Sequence, residues 1–276
     1  MFTLNCKGKL ILIEKPLIMG ILNINNDSFY SGSRFQNIDA IVMKAEQMIE
    51  EGADIIDIGG QSTRPGSERI SVEEEMQRVL PVIEILSKKT DTILLSIDTY
   101  HASVAEAAVH AGASIVNDIS AGEMDTNMID TVASLGVPYI CTHIKGLPET
   151  MHLDIHYENI NTEILDFFIK KINECRLAGI KDVIIDPGFG FGKTIRHNLI
   201  LLKSLTIFKM MGKPIMAGLS RKSTIYKTLH TTAEDSLNGS TVLHTIALQN
   251  GADILRVHDV KEAREAAILV EAYGKA

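Results

Sequence analysis

Eight apolar runs in this sequence each close on residues able to do chemistry. These are Asn23, Asp57, Asp98, Asn117 with Asp118, His143, Asp186, the trio Ser220-Arg221-Lys222, and Arg256 with His258. They divide into two chemistries. Asp98, Asn117 and Asp186 offer carboxylate and amide groups. Brought together, they suit the edge of a flat heterocycle with several N–H donors, because buried polar edges need partners. Arg64, Lys222, Arg256 and His258 form a cationic set. Arg64 lies in "STRPG", whose Pro-Gly implies a constrained turn. Arg256 and His258 alternate along an extended segment, so their side chains lean the same way, as a phosphate or diphosphate site requires. A donor-rich heterocycle beside an anion is the ligand these groups predict. Each residue also has a plainer reading: a strand-end acid can cap the next helix, and Arg256 can pair with Asp259.

For such scattered residues to meet, the chain must carry them on strand ends that converge. A repeated unit supplies this: an amphipathic helix, a glycine that caps it, then a short apolar strand closed by a polar residue, as in "EEGADIIDIGG" and "LAGIKDVIIDPG". The strands are expected at 17–22, 54–58, 93–97, 114–117, 138–141, 183–185, 214–217 and 254–257. Ser71 with Glu74 forms a capping box that opens one helix. Eight strands, each followed by a helix, point to an α/β (β/α)8 TIM barrel, with a doubly wound sheet as the alternative. In a barrel the functional side chains stand at the carboxyl ends of the strands. "CKGKL" between two β-prone runs adds a short N-terminal hairpin. The expected organisation is one domain over 1–276, with the hairpin at 1–15 and the barrel at 16–276.

"DPGFGFGKT", residues 186–194, imitates a phosphate loop. The P-loop spacing instead places Pro187, which has no N–H, where the first glycine belongs, and the dinucleotide fingerprint finds Lys193 in place of its third glycine. The reading that remains is a loop whose glycines bring backbone close to a heterocycle. Lys193 is then expected to face solvent or another loop.

At 276 residues with 45% hydrophobic and 22% charged, the chain suits one large globular domain. A net charge of −8 without any basic block argues against sequence-independent binding to nucleic acid or anionic membrane. An anionic ligand must be held by a few placed cations. Cys6, Cys141 and Cys175 share no metal-ligand spacing and read as reduced cysteines of a cytoplasmic protein. The four-residue apolar run near the N-terminus is too short for a signal segment or membrane span.

"MGILNINNDSF", "DIGGQSTRPGS", "SIDTY", "GASIVNDISAG", "DPGFGFGKT", "GLSRKS" and "LRVHDV" resemble, in order, the successive signatures of the dihydropteroate synthase family from residue 19 to 260. The resemblance implies a folate-pathway transferase on a (β/α)8 barrel. Such an enzyme joins two small molecules, 6-hydroxymethyl-7,8-dihydropterin diphosphate and 4-aminobenzoate, with Mg²⁺, and is a sulfonamide target. By position, Asp98, Asn117 and Asp186 would hold the pterin edge, with Lys222 beside the ring and Phe191 lining the pocket. Thr63, Arg64, Arg256 and His258 would bind the diphosphate, and Asn23 the metal. Thr63, Pro65 and Ser220 would border the aminobenzoate. Asp98, Asp186, Lys222 and Arg256 would carry the catalysis, and barrels of this kind often form homodimers through their outer helices.

The sequence departs from the family in its first long loop. Asn25-Asn26 stands where Thr-Pro is usual, and Ser31-Gly32-Ser33 where Asp-Gly-Gly is usual. Residues 24–37 and 59–70 are long enough to act as lids. Two other functions compete: a methyltetrahydrofolate-binding methyltransferase domain, which has no need of "STRPG", "SRK" and "RVH" together, and a non-catalytic binding paralogue.

Overall fold

The computed structural model describes residues 1–24, 34–61, 69–90, 92–148, 150–153 and 155–276, with side chains from residue 38 onward in the helix that opens at Arg34. The chain begins with an antiparallel hairpin, β1 (Phe2–Cys6) and β2 (Lys9–Ile13). Lys7 and Gly8 turn it with φ of 52° and 86°, the paired positive angles that match a two-residue turn to strand twist.

Eight parallel strands follow: β3 (Leu17–Asn23), β4 (Ile55–Gly59), β5 (Leu94–Asp98), β6 (Ile115–Asp118), β7 (Tyr139–Thr142), β8 (Val183–Asp186), β9 (Met216–Ala217) and β10 (Ile254–Val257). They pair in the order β8-β7-β6-β5-β4-β3-β10-β9, and a parallel bridge between Ile185 and Ile215 joins the two outer strands. Closure leaves no long unpaired edge, so the ring is the expected barrel and not an open doubly wound sheet. Helices α1 (Arg34–Glu50), α2 (Val72–Lys89), α3 (Ala102–Ala111), α4 (Met128–Leu135), α5 (Ile160–Ala178), α6 (Ile195–Lys203), α7 (Ser223–Tyr226), α8 (Leu237–Gln249) and α9 (Val260–Lys275) surround it. Ser71 opens α2 as expected, its hydroxyl accepting from Glu74 N at 3.2 Å.

Most strands begin or end about one residue later than the sequence suggests, and the shift matters for function. The polar closing residues lie inside the hydrogen-bond ladder: Asn23 pairs in register with Gly59, Gly59 with Asp98, and Asp98 with Asn117. A backbone ladder is indifferent to side-chain polarity, so it runs on past the apolar segment. One row across four strands therefore carries a carboxylate and two amides with a glycine gap.

Two apolar layers hold this frame. The larger lies between the strands and the helices, and includes Ile56, Val79, Ile83, Val116 and Phe168. The smaller fills the barrel near the amino ends of the strands, where Leu17, Met19, Ile55, Ile115, Ile184 and Ile254 pack with Leu4, Cys6 and Ile13 of the hairpin. Asn5 N donates to Asp182 Oδ2 at 2.6 Å, and Lys7 Nζ donates to Val109 O, tying the hairpin across that end.

Candidate functional site

At the opposite end, the acids and the cations interleave around one charge network. Asp57 is fully buried, and its Oδ2 accepts from Arg256 Nε at 2.6 Å and from Asn117 Nδ2 at 3.0 Å. Arg256 Nη2 donates to Asp98 Oδ2 at 2.6 Å. One guanidinium thus ties β10 to β4 and β5, and one carboxylate fixes which way the Asn117 amide faces. Asn117 Oδ1 is left buried without a hydrogen-bond partner, and so is Asp57 Oδ1. Buried acceptors are rarely left unsatisfied, so the Asn117 oxygen calls for a donor from a ligand. Gly59 keeps the space between neighbours open, because a Cβ there would lie 3.5 Å from Asn23 Oδ1 and 3.6 Å from Asp98 Oδ2.

Burial governs the charges. It lifts the Asp98 pKa to about 7, with Arg256 opposing and Asp57 reinforcing the rise. It lowers Lys222 to about 8, against the pull of Asp186 and with a further push from Arg256. Burial also raises Asp186, while Lys222 acts to lower it. Arg256 goes the other way: burial disfavours its charge, but Asp57 and Asp98 outweigh it and hold the guanidinium firmly cationic. The result is a desolvated pocket where fixed charges act through a low dielectric.

The loop after β8 docks against the loop that follows β7. Of the two places expected for Lys193, solvent or another loop, it takes the second and is buried there. Its Nζ lies 2.9 Å from Gly188 O, 3.0 Å from Phe191 O, 3.2 Å from His143 O and 2.9 Å from His143 Nδ1. The glycines bring backbone close to backbone: a Cβ at Gly188 would fall 1.9 Å from His143 O, and one at Gly192 2.3 Å from Lys145 O. Both sit at positive φ, 71° and 61°. This docking presents Phe189 O, which accepts from Lys222 Nζ, and the Phe191 ring, whose centroid is 4.8 Å from that ammonium. Asp186 Oδ1 accepts from Gly188 N at 2.8 Å.

Around β9 and β10 the structure shows two further side-chain pairings. Ser220, expected beside the aminobenzoate, is buried, and its hydroxyl accepts from His258 N at 3.1 Å and bonds His258 Nδ1 at 3.0 Å. That contact orients the imidazole. Asp259 does accept an arginine fork, but from Arg221, at 2.9 and 2.8 Å, and not from Arg256. Asp118 is turned away from the network and accepts from Ser120 N, Ser120 Oγ, Gly122 N and Tyr139 Oη. Thr63, Arg64 and Pro65, like Asn25, Asn26 and Ser31-Gly32-Ser33, lie outside the described residues.

Sequence reasoning missed two participants. Asp57 was visible as a strand-closing acid, but only the strand register reveals its contact with both Asn117 and Arg256. Lys193 looked like a loop cation and had no signal for burial. For a metal, no cluster of three or more His, Cys, Asp or Glu suited to an ion occurs among the described residues. Asn23 offers one exposed neutral oxygen at the mouth. That fits Mg²⁺ arriving with a diphosphate, since this ion keeps several waters and takes few protein ligands.

The sequence matches the family described as pterin binding enzyme over residues 19–258. It is 42% identical to dihydropteroate synthase of Haemophilus influenzae, covering 93% of this chain and 94% of that one. The fold superposes on the Yersinia pestis dihydropteroate synthase structure with a sulfonamide drug complex at a TM-score of 0.93 and 39% identity, covering 100% of both chains. It superposes on the Xanthomonas albilineans enzyme in complex with 7,8-dihydropteroate at 0.88 and 38% identity, covering 99% of both.

Proposed function

The chain belongs to the dihydropteroate synthase family of pterin-binding enzymes, and from that premise we propose how its residues divide the reaction. The enzyme condenses 6-hydroxymethyl-7,8-dihydropterin diphosphate with 4-aminobenzoate, giving 7,8-dihydropteroate and diphosphate. The pterin lies against Asp98, Asn117 and Asp186, with Lys222 and Phe191 at its ring. The observation that carries this placement is the buried, unpartnered Asn117 Oδ1, its amide held by Asp57 so that oxygen and not nitrogen faces the ligand. Arg256 and His258 take the diphosphate with Thr63 and Arg64, and Thr63, Pro65 and the Ser220 region border the aminobenzoate.

The bond that breaks joins the pterin methylene carbon to the diphosphate oxygen. The amine nitrogen adds to that carbon and loses a proton. The fused ring spreads positive charge, so departure of diphosphate leads the step in an SN1-like path. Asp98 and Asp186 stabilise the developing cation while Arg256 and His258 stabilise the leaving anion, with no protein nucleophile required. Asn23 would hold Mg²⁺, which supplies positive charge to the departing oxygens when bound. Diphosphate release from the two substrates, competed by a sulfonamide against 4-aminobenzoate, tests the assignment. No release at all would overturn it and favour the non-catalytic paralogue; release indifferent to 4-aminobenzoate would overturn it in favour of simple hydrolysis of the pterin diphosphate.

We also propose a cytoplasmic homodimer with the hairpin and barrel as one domain. Three free buried cysteines and the exposed Val242, Leu269 and Tyr273 on α8 and α9 support it. A monomeric mass by light scattering would refute the dimer.

A further inference from the structure

Lys193 has no role in the reaction as just described, yet it is among the most deeply enclosed cations of the described residues. Four acceptors surround its three ammonium hydrogens, two of them carbonyls of its own loop and two from His143 at the end of β7. Removing an ammonium from water is costly unless its partners are well placed, and burial pushes its pKa well below the ordinary lysine value. His143 is correspondingly neutral, its pKa pushed down to about 2 by burial and by Lys193. The imidazole therefore offers Nδ1 as an acceptor and packs edge-on against Phe167, 4.9 Å between centroids.

The clamp stands behind the pterin site and not in it. Gly188, whose carbonyl Lys193 holds, donates its N–H to Asp186 Oδ1. Phe189 between them accepts from Lys222, and Gly190 packs on Lys222, where a Cβ would lie 3.3 Å from Cδ. Phe191, the second carbonyl held, carries the ring beside the Lys222 ammonium. On the far side Asn198 Oδ1 accepts from Gly190 N at 2.8 Å, closing the loop onto α6.

We propose that Lys193 is a positioning residue: by fixing the Gly188 and Phe191 carbonyls against the end of β7, it sets where Asp186, Lys222 and Phe191 meet the heterocycle. The inference rests on the pterin site proposed above. It separates loop geometry from catalytic contact, because an error of about one ångström far from the chemistry can cost on the order of a hundredfold.

The test is Lys193→Met, which keeps the length and removes the donors, with His143→Leu as a milder second break. For Lys193→Met the KM for pterin diphosphate should rise about tenfold or more. The KM for 4-aminobenzoate at saturating pterin diphosphate should stay within about twofold. His143→Leu should shift the first constant in the same sense by a smaller factor. A role confined to stability would lower the melting temperature and leave both constants of the folded enzyme unchanged, and that result overturns the proposal. So would equal weakening of both substrates. If Lys193→Met does not fold, the His143→Leu ratio decides by the same criteria. Parent enzyme that fails to release diphosphate sinks the synthase reading instead. In that case titration of parent and variants with 7,8-dihydropteroate decides the clamp, equal affinities overturning it.

Discussion

Near the amino ends of the strands, Met19, Ile55, Ile115 and Ile184 meet the hairpin's Leu4 and Ile13 in a packed apolar plug. Two residues further along β4, β6 and β8 stand Asp57, Asn117 and Asp186, and with Asp98 at the end of β5 they surround Arg256 and Lys222. The backbone is continuous between these ends, so the contrast lies in the side chains. The plug gains free energy from apolar burial, at about 25 cal/mol per Å² removed from water. The other end spends such gains on desolvated charge, and leaves Asn117 Oδ1 unsatisfied. Local stability and readiness for a ligand are segregated along each strand. That arrangement lets loops and charges at one end vary without loosening the barrel.

The largest effects should come from cutting the charged end. Arg256→Ala and Asp98→Ala should each lower kcat/KM by roughly a hundred- to a thousandfold, about 2.7–4 kcal/mol of transition-state stabilisation, in steady-state assays of diphosphate release. Losses under about fivefold in both would mean that the charged end is not where the reaction occurs. Leu4→Ala attacks the plug and should cost about 2–5 kcal/mol of unfolding free energy in urea titrations. The kcat/KM of the folded enzyme should hold; a tenfold fall would dissolve the division between the two ends.

The pH response sharpens the same contrast. Asp98 must ionise to balance a developing cation and Lys222 must stay protonated, so kcat/KM should be bell-shaped, rising near 7 and falling near 8. The stability contribution has the opposite sense. Folded Asp98 binds a proton that the unfolded chain has lost between its ordinary value near 3.8 and about 7, so stability falls as pH rises through that window. Folded Lys222 has lost a proton that the unfolded chain keeps between about 8 and 10.5, so stability recovers above 8. Thermal melts across pH should show these two groups contributing least where catalysis is greatest. A flat rate profile from pH 6 to 9 would remove both groups from the rate-determining chemistry. The smallest effect belongs to neither end: Ser71→Ala, which removes the α2 cap, should cost about 1 kcal/mol in the same urea titrations.

The barrel was legible because the strands are short apolar runs, six of the eight preceded by a capping glycine, and the acids were legible because they close those runs. Boundaries slipped by a residue because a ladder such as Asp98 to Asn117 continues through polar side chains. Contacts made by register were not legible. Nothing local marks Asp57 as the shared partner of Asn117 and Arg256, or gives Asp259 to Arg221 rather than to Arg256. Ser220 was placed by its neighbourhood, but its hydroxyl direction depends on His258, 38 residues away. Lys193 was least legible of all, since burying a lysine requires carbonyls that only the folded turn assembles.

With side chains from the strands and hairpin stoppering its floor, the cavity is a blind alley. Among the described residues, that leaves the carboxyl-end mouth as the way to Asp186 and Asn117. Two molecules bound one above the other at such an end would exchange last-in, first-out, so an excess of the outer one should slow escape of the inner one in a dilution chase.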